Sequence, residues 1–155
     1  MSEPYEETIE GETRLRIPPG ARHEEICRRL HDRVAGSMAG ITVARLLPPR
    51  SPVQLSRETQ VRPDLALVTA ATNKLWLAAE IVSSEDHSPD TVIKKAIYEE
   101  IKLPRLWMVD PRYDNVEVYH SGEYGLALKE ILAFREVLSE ALLPEFQYTI
   151  EELFK

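Results

Sequence analysis

The chain has 155 residues, of which 43% are apolar and 29% are charged, and its formal net charge is −7. This length and balance are typical of one globular domain with a single hydrophobic core and exclude a disordered chain. No apolar run approaches the roughly 20 residues that cross a bilayer, and the first residues are acidic rather than a basic and apolar leader, which argues against a membrane protein or a secreted precursor.

Residues 1–13 are predicted to be an acidic flexible tail, because they hold five acidic residues, no basic residue and no apolar periodicity. Residues 14–155 are predicted to form a single domain. Within it, residues 14–62 contain ten Arg against four acidic residues. These arginines either neutralise a nucleic-acid backbone or lie on a solvated helix face beside paired acids.

Apolar periodicity predicts a first helix over about residues 21–38, with Ile26, Leu30 and Val34 on its buried face. His23 falls inside this apolar stripe. A lone histidine on an apolar face is more often a satisfied core residue than a ligand, so His23 has two readings at this point.

A β-hairpin is predicted after a strand at 41–43 and a proline-rich loop. Residues 65–68 and 75–82 are nearly continuous apolar runs, typical of strands buried on both faces, and residues 71–74 supply the turn. A second helix is predicted from Ser88, the N-cap that precedes Pro89, to about Ile101.

The remaining segments complete a mixed α/β pattern. A short helix is predicted at the end of the chain, where residues 149–152 have capping-box spacing. The order of elements predicts a mixed β-sheet covered by the two main helices. The further predicted strands are 106–109, 116–119, 124–128 and a shorter one near 136–138.

Two carboxylates stand out, because acidic residues are depleted in buried strands. Asp64 and Glu80 are equally distant from Thr72, the middle of the predicted turn, so a hairpin centred there places them opposite each other. Like charges that face each other destabilise a sheet unless a proton, a basic partner or a cation compensates. Oxygen ligands and two negative charges suit Mg²⁺ or Mn²⁺ better than zinc. The plainer alternative is that Asp64 ends a loop and Glu80 is solvated at a strand edge.

The second helix offers a cationic partner for these acids. The apolar stripe through Ile93 and Ile97 places Lys94 at its edge, with Tyr98 one turn later on the same face. Lys95 is rotated by about 100° toward solvent. The alternative for Lys94 is a snorkelling lysine that covers apolar surface.

Several other site types are excluded by the sequence. No pair of histidines has metal-ligand spacing, and the single Cys27 allows neither an internal disulfide nor a thiolate cage. Cys27 lies in no thiol-protease signature, and its solitary thiol suits a reducing cytoplasm. No nucleophile elbow, P-loop or dinucleotide-binding glycine motif occurs.

Short motifs over residues 20–155 match a known family in order. The matching segments are Arg62-Pro63-Asp64, Glu80-Ile81-Val82-Ser83, Asp90 with Lys94 and Tyr98, and residues 106–111, 116–119, 143–146 and 152–154. Together they resemble the Uma-type putative restriction endonuclease family of the PD-(D/E)XK nuclease superfamily. The resemblance implies a bacterial protein with a restriction-endonuclease-like mixed β-sheet flanked by α-helices.

The resemblance also assigns site residues. Asp64 takes the place of the motif's aspartate and Glu80 that of its second acid, while Val82 stands where the superfamily's lysine is usual. In this family the lysine lies on the following helix, here Lys94. The residues implied as catalytic are Asp64, Glu80, Lys94, Tyr98 and His23, and those implied as metal ligands are Asp64, Glu80 and the carbonyl of Ile81.

The implied activity is Mg²⁺- or Mn²⁺-dependent hydrolysis of nucleic-acid phosphodiester bonds, with DNA as the first choice of substrate. Lys94 would stabilise negative charge, and Tyr98 and His23 would orient water or phosphate oxygens. A homodimer is a further expectation. Two alternatives stay open: a non-catalytic binding or oligomeric module on a degenerate nuclease fold, and hydrolysis of RNA or a small phosphodiester at the same site.

Overall fold

The computed structural model describes residues 3–82 and 87–155, with the side chains of residues 87–90 left aside. It contains three helices and twelve strands within these residues. In chain order they are β1 (Tyr5–Ile9), β2 (Glu12–Arg16), α1 (Ala21–Gly36), β3 (Ala44–Leu46), β4 (Val53–Ser56), β5 (Thr59–Val61), β6 (Leu65–Thr69), β7 (Leu75–Ile81), α2 (His87–Glu100), β8 (Arg105–Asp110), β9 (Asn115–Gly122), β10 (Gly125–Ala133), β11 (Val137–Glu140), β12 (Leu143–Thr149) and α3 (Ile150–Phe154).

A six-stranded sheet in the order β10-β9-β8-β7-β6-β3 forms the centre of the described structure. Its strands β7 and β8 are parallel, and α2 lies between them in the chain as the crossover that a parallel pair requires. The other neighbouring pairs are antiparallel. The predicted class, a mixed sheet flanked by helices, is confirmed.

The two faces of this sheet bury two apolar clusters. Ile26, Leu30 and Val34 of α1 pack on one face, together with Trp107 of β8. Tyr98 of α2 belongs to the cluster on the other face. The central strands are covered on both sides, which explains their nearly continuous apolar sequences.

The N-terminal residues differ from the predicted flexible tail. Residues 5–16 form the hairpin β1–β2, which joins β4 and β5 in a second sheet of order β2-β1-β5-β4. Glu10 and Gly11 form its two-residue turn with φ values of +52° and +82°. Glu7 and Ile9 are buried on the inner side of β1, so pairing and burial order a segment whose charge alone suggested disorder.

Other boundaries differ by a few residues. The first helix ends at residue 36 rather than 38, and the predicted strand at 41–43 lies instead at β3. Strands β4, β5 and β12 were not predicted, because they are short or lack an apolar run. Helix α2 begins one residue before Ser88, and the capping role predicted for the Ser88 side chain lies outside the described residues. No helix in the described ranges is long and apolar enough to cross a membrane.

Candidate active site

Asp64 and Glu80 lie opposite each other at one end of the β6–β7 hairpin. The antiparallel register pairs Leu65 with Ala79, so the preceding residue, Asp64, faces Glu80. This is the arrangement predicted from the symmetry of the hairpin about Thr72. Asp64 lies directly before β6, and Glu80 is the penultimate residue of β7.

Asp64 is almost fully buried and accepts hydrogen bonds at both carboxylate oxygens. Oδ1 accepts from His23 Nε2 at 3.0 Å and from Arg50 at 3.1 Å, and Oδ2 accepts from the Ile81 backbone N–H at 2.8 Å. Burial alone would raise the pKa of Asp64, but these donors outweigh it and hold the pKa below its ordinary value. Asp64 is therefore a fixed anion.

Glu80 is 9% exposed and has a different electrostatic environment. Its Oε2 accepts hydrogen bonds from the Tyr98 hydroxyl at 2.5 Å and from Lys94 Nζ at 3.3 Å, and no described residue donates to its Oε1. Burial raises the pKa of Glu80 to about 8, against the opposing influence of the Lys94 charge. Two adjacent carboxylates with opposite pKa shifts are typical of functional sites.

The structure places Lys94 at the carboxylates, as the helix phase predicted, whereas Lys95, predicted to face solvent, is half-buried. Lys94 is 2% exposed, and its Nζ lies between Glu80 and Glu7. Lys95 Nζ instead donates to the Tyr119 hydroxyl at 3.0 Å and lies over the Tyr119 ring. The two lysines are adjacent in sequence but only Lys94 contacts the acidic pair.

Glu7 is a site residue that sequence reasoning missed. Its side chain is fully buried, and its Oε2 lies 2.7 Å from Lys94 Nζ and 2.7 Å from the Arg62 backbone N–H. The sequence holds a local signal for the hairpin but none for the role of Glu7: Gly11 lies between two short stretches that tolerate extended backbone, and glycine is common in turns.

Arg50 and His31 were also not singled out, and both hold Asp64 in place. Arg50 bridges Asp64 and Glu24, with the Glu24 carboxylate 2.7 Å from the guanidinium. His31 Nε2 donates to the Asp64 backbone carbonyl at 2.7 Å. Both contacts join residues far apart in the chain, so no sequence spacing indicates them.

His23 and Tyr98 each contact one of the predicted acids, His23 at Asp64 and Tyr98 at Glu80. His23 lines the same chamber as Asp64, and its hydrogen bond and the Asp64 charge raise its pKa in spite of burial, which acts to lower it. Tyr98 is fully buried, and its hydroxyl donates to Glu80. Tyr98 therefore positions Glu80 from the core side. Burial raises the pKa of the Cys27 thiol to about 12, which makes it a poor nucleophile.

A chamber of about 30 Å³ lies where these side chains meet. This volume accommodates a single water molecule or ion. Its outer wall is the segment that leaves the N-terminal hairpin, including Pro18 and Pro19. The residues that line it are Tyr5, Arg16, Ile17, Pro18, Pro19, His23, Asp64, Glu80, Ile81 and Lys94.

The donor set of this chamber fits a hard divalent cation. Asp64 is held ionised, and Glu80 keeps one oxygen without a donor from the described residues. Mg²⁺ commonly binds through one or two carboxylates and takes waters and substrate phosphates as its other ligands. Among the residues that the structure describes, no three His, Cys, Asp or Glu side chains form a fuller cage. The Ile81 carbonyl as an additional ligand stays a prediction.

The arginine-rich block is mostly paired with acids. On α1, the guanidinium groups form ion pairs with acids of the helix itself and of later segments. This supports the alternative in which the arginines of α1 lie on a solvated helix face beside paired acids. The pairs are Arg22 with Asp114, Arg28 with Glu25 and Asp32, Arg29 with Glu25, and Arg33 with Glu152. Arg50 pairs with Glu24 and Asp64, and Arg62 donates to the backbone carbonyls of residues 6 and 50.

The mixed sheet and its flanking helices define a restriction-endonuclease-like fold. Residues 2–151 match the model of the Uma2 family, described as putative restriction endonuclease. The chain belongs to this family.

One solved structure with a similar fold is the crystal structure of a putative nuclease belonging to DUF820 from Anabaena variabilis ATCC 29413. The TM-score is 0.80, and the match covers 99% of this chain and 91% of that chain at 16% sequence identity. A search of curated protein sequences finds no match. At this level of identity the structural similarity establishes the fold.

Proposed function

We propose that the protein is a Mg²⁺- or Mn²⁺-dependent nuclease that hydrolyses phosphodiester bonds of nucleic acid. The observation that carries this proposal is that Asp64 and Glu80, from the ends of two paired strands, reach one ion-sized chamber together with Lys94. Membership of a putative restriction endonuclease family supports the same activity.

The roles of the side chains follow from their contacts. Asp64 and Glu80 would bind the cation, which would polarise the scissile phosphate and lower the pKa of a bound water. Lys94 would stabilise negative charge on the phosphate or on the attacking water. His23 orients Asp64 through Nε2, and Tyr98 orients Glu80 through its hydroxyl.

A larger cleft of about 1040 Å³ adjoins the chamber and supports substrate entry from this side. Tyr5, Pro18 and Pro19 line both spaces, so they form the boundary between them. Arg50 and Arg62 lie in the cleft wall. DNA as the substrate and a homodimeric state are predictions from the family resemblance, and RNA or a small phosphodiester is the alternative substrate.

A non-catalytic module is the second candidate, and one observation favours it. Each of the two predicted carboxylate ligands already has a cationic partner in the chain, since Asp64 pairs with Arg50 and Glu80 with Lys94. Such pairs can compensate buried charge in the absence of a cation. Titration of the protein with Mn²⁺ discriminates between the two candidates, because only the nuclease should bind the ion at these carboxylates.

The experiment that tests the nuclease proposal is the substitution Glu80→Ala. We expect it to reduce metal-dependent cleavage of DNA and RNA oligonucleotides to background, because it removes a ligand while the apolar clusters stay intact. The control is Glu145→Ala, which removes an exposed carboxylate on β12 that does not line the chamber. It should leave cleavage unchanged. Cleavage that persists in Glu80→Ala would contradict the proposal.

A further inference from the structure

Glu7 reaches the candidate active site from the N-terminal hairpin and contacts the same ammonium as Glu80. Lys94 Nζ lies 2.7 Å from Glu7 Oε2 and 3.3 Å from Glu80 Oε2. All three side chains are at most 11% exposed. The ammonium is thus shared by two carboxylates and lies closer to the one that does not line the chamber.

The position of Glu7 is fixed by further contacts. The Arg62 backbone N–H donates to Oε2 at 2.7 Å, and Arg16 Nε lies 3.5 Å from Oε1. The backbone of β1 pairs with β2 on one side and β5 on the other. Glu7 therefore contacts Lys94 from a strand that is paired on both sides.

The sharing of Lys94 matters for the neighbouring carboxylate. An ammonium that binds Glu80 directly competes with a cation for the same oxygens and repels the cation at short range, and this repulsion is stronger in a poorly solvated site. A second carboxylate that attracts the ammonium away from Glu80 weakens this competition while it keeps Lys94 beside the chamber.

We propose that Glu7 is a positioning residue: it draws the Lys94 ammonium toward itself, so that the ammonium contacts Glu80 at the longer distance and competes less with a divalent cation for that carboxylate. This inference rests on the proposed function, since it takes Asp64 and Glu80 as the cation ligands. The N-terminal hairpin, which the sequence predicts to be a flexible tail, then contributes a residue that supports the site.

The experiment is a double-mutant cycle on Mn²⁺ binding, measured by titration calorimetry without nucleic acid. The variants are Glu7→Gln, Lys94→Met and the two combined. We expect Glu7→Gln to weaken Mn²⁺ binding about tenfold, the effect typical of losing a residue that supports a metal ligand. In the Lys94→Met background, Glu7→Gln should have little further effect, because no ammonium is left to compete.

The control is Glu12→Gln, which removes an exposed carboxylate from the same hairpin and should leave Mn²⁺ affinity unchanged. Unchanged affinity in Glu7→Gln would overturn the inference. An equal loss in the parent and in the Lys94→Met background would also overturn it, because the effect would then be a general one of charge or structure.

Two outcomes keep the inference separate from the proposed function. If the parent binds no Mn²⁺, the proposed metal site fails and the inference fails with it. If the parent and Glu7→Gln both bind Mn²⁺ with the same affinity, only the inference is refuted.

If Glu7→Gln does not fold, Glu7→Asp replaces it, since this variant keeps the charge but withdraws the carboxylate by one methylene. It should also weaken Mn²⁺ binding, with recovery on Lys94→Met, and unchanged affinity would again overturn the inference.

Discussion

Lys94 and Lys95 show how one position on a helix changes the environment of a charge. Lys94 is buried between Glu7 and Glu80, while Lys95 rests on Tyr119 near the surface. Their different surroundings predict different consequences of removing each side chain.

We expect Lys94→Ala to lower single-turnover cleavage at saturating Mg²⁺ by about a hundredfold or more, because the proposed role of Lys94 is to stabilise negative charge on the phosphate. It should also lower the free energy of unfolding by about 3–5 kcal/mol, because it leaves the Glu7 carboxylate buried without this partner. Rates should therefore be normalised to the folded fraction. Lys95→Ala is the matched control and should change both quantities little; equal losses in the two variants would contradict the assignment.

The raised pKa of Glu80 predicts a pH dependence of stability. Its ordinary pKa is 4.5 and its pKa in the folded protein is about 8, so between these values the folded state binds a proton that the unfolded state has lost. The contribution of Glu80 to the free energy of unfolding therefore declines as pH rises through this window. Glu80→Gln should remove that decline.

The measurement is urea unfolding of the parent and Glu80→Gln, without divalent cations, at pH values across this window. The difference in unfolding free energy should grow in favour of the variant as pH rises. The pKa of His23 is raised and that of His31 is lowered, so the histidines also affect the pH dependence and the comparison between variant and parent is the informative quantity. A constant difference across the window would show that Glu80 is ionised throughout.

At the scale of elements, the turns that join strands depend on particular backbone conformations. Gly125 begins β10 with φ at +110°, and a Cβ atom there would overlap the Glu99 carboxylate, which accepts the Leu126 backbone N–H. Gly122, at the end of β9, has only an ordinary contact at 3.5 Å for a Cβ atom.

We expect Gly125→Ala to lower the free energy of unfolding by about 1–3 kcal/mol, because the added side chain makes this backbone conformation strained. Gly122→Ala should change it by less than about 0.5 kcal/mol. Chemical denaturation of both variants provides the test. Similar values for the two would mean that the turn relaxes without cost.

The N-terminal hairpin shows why the elements were only partly predictable. Helix α1 and strands β6, β7, β8 and β9 carry clear apolar patterns, and the sequence placed them within a few residues. Strand β1 carries Glu6, Glu7 and Thr8, which look solvated in sequence. It is ordered because β2 and β5 pair with it and because Lys94 and the Arg62 backbone N–H accommodate the Glu7 carboxylate.

At the scale of the whole molecule, Trp107 links the central sheet to the C-terminal part of the chain. It is fully buried on β8, and its ring stacks on Phe146 of β12 with centroids 5.5 Å apart. We expect Trp107→Ala to lower the free energy of unfolding by about 3–5 kcal/mol, since a large cavity replaces the ring.

Denaturant unfolding of Trp107→Ala beside Tyr124→Ala tests this role. Tyr124 is 94% exposed, so its substitution should change the unfolding free energy by less than about 0.5 kcal/mol. A small effect of Trp107→Ala would mean that strands β8 and β12 are less strongly coupled through this residue than the stacking implies.

The amino-acid sequence alone predicts the mixed α/β class, the carboxylate pair, the choice of Lys94 over Lys95 and the resemblance to a nuclease family. These features depend on local periodicity and on spacing within one hairpin or one helix, which the order of residues encodes directly. The positions of Glu7, Arg50 and His31 around the pair emerge only in the folded chain, because these contacts join segments distant in the sequence. The same holds for the pKa values of Asp64 and Glu80, which depend on burial and on neighbours that no single segment contains.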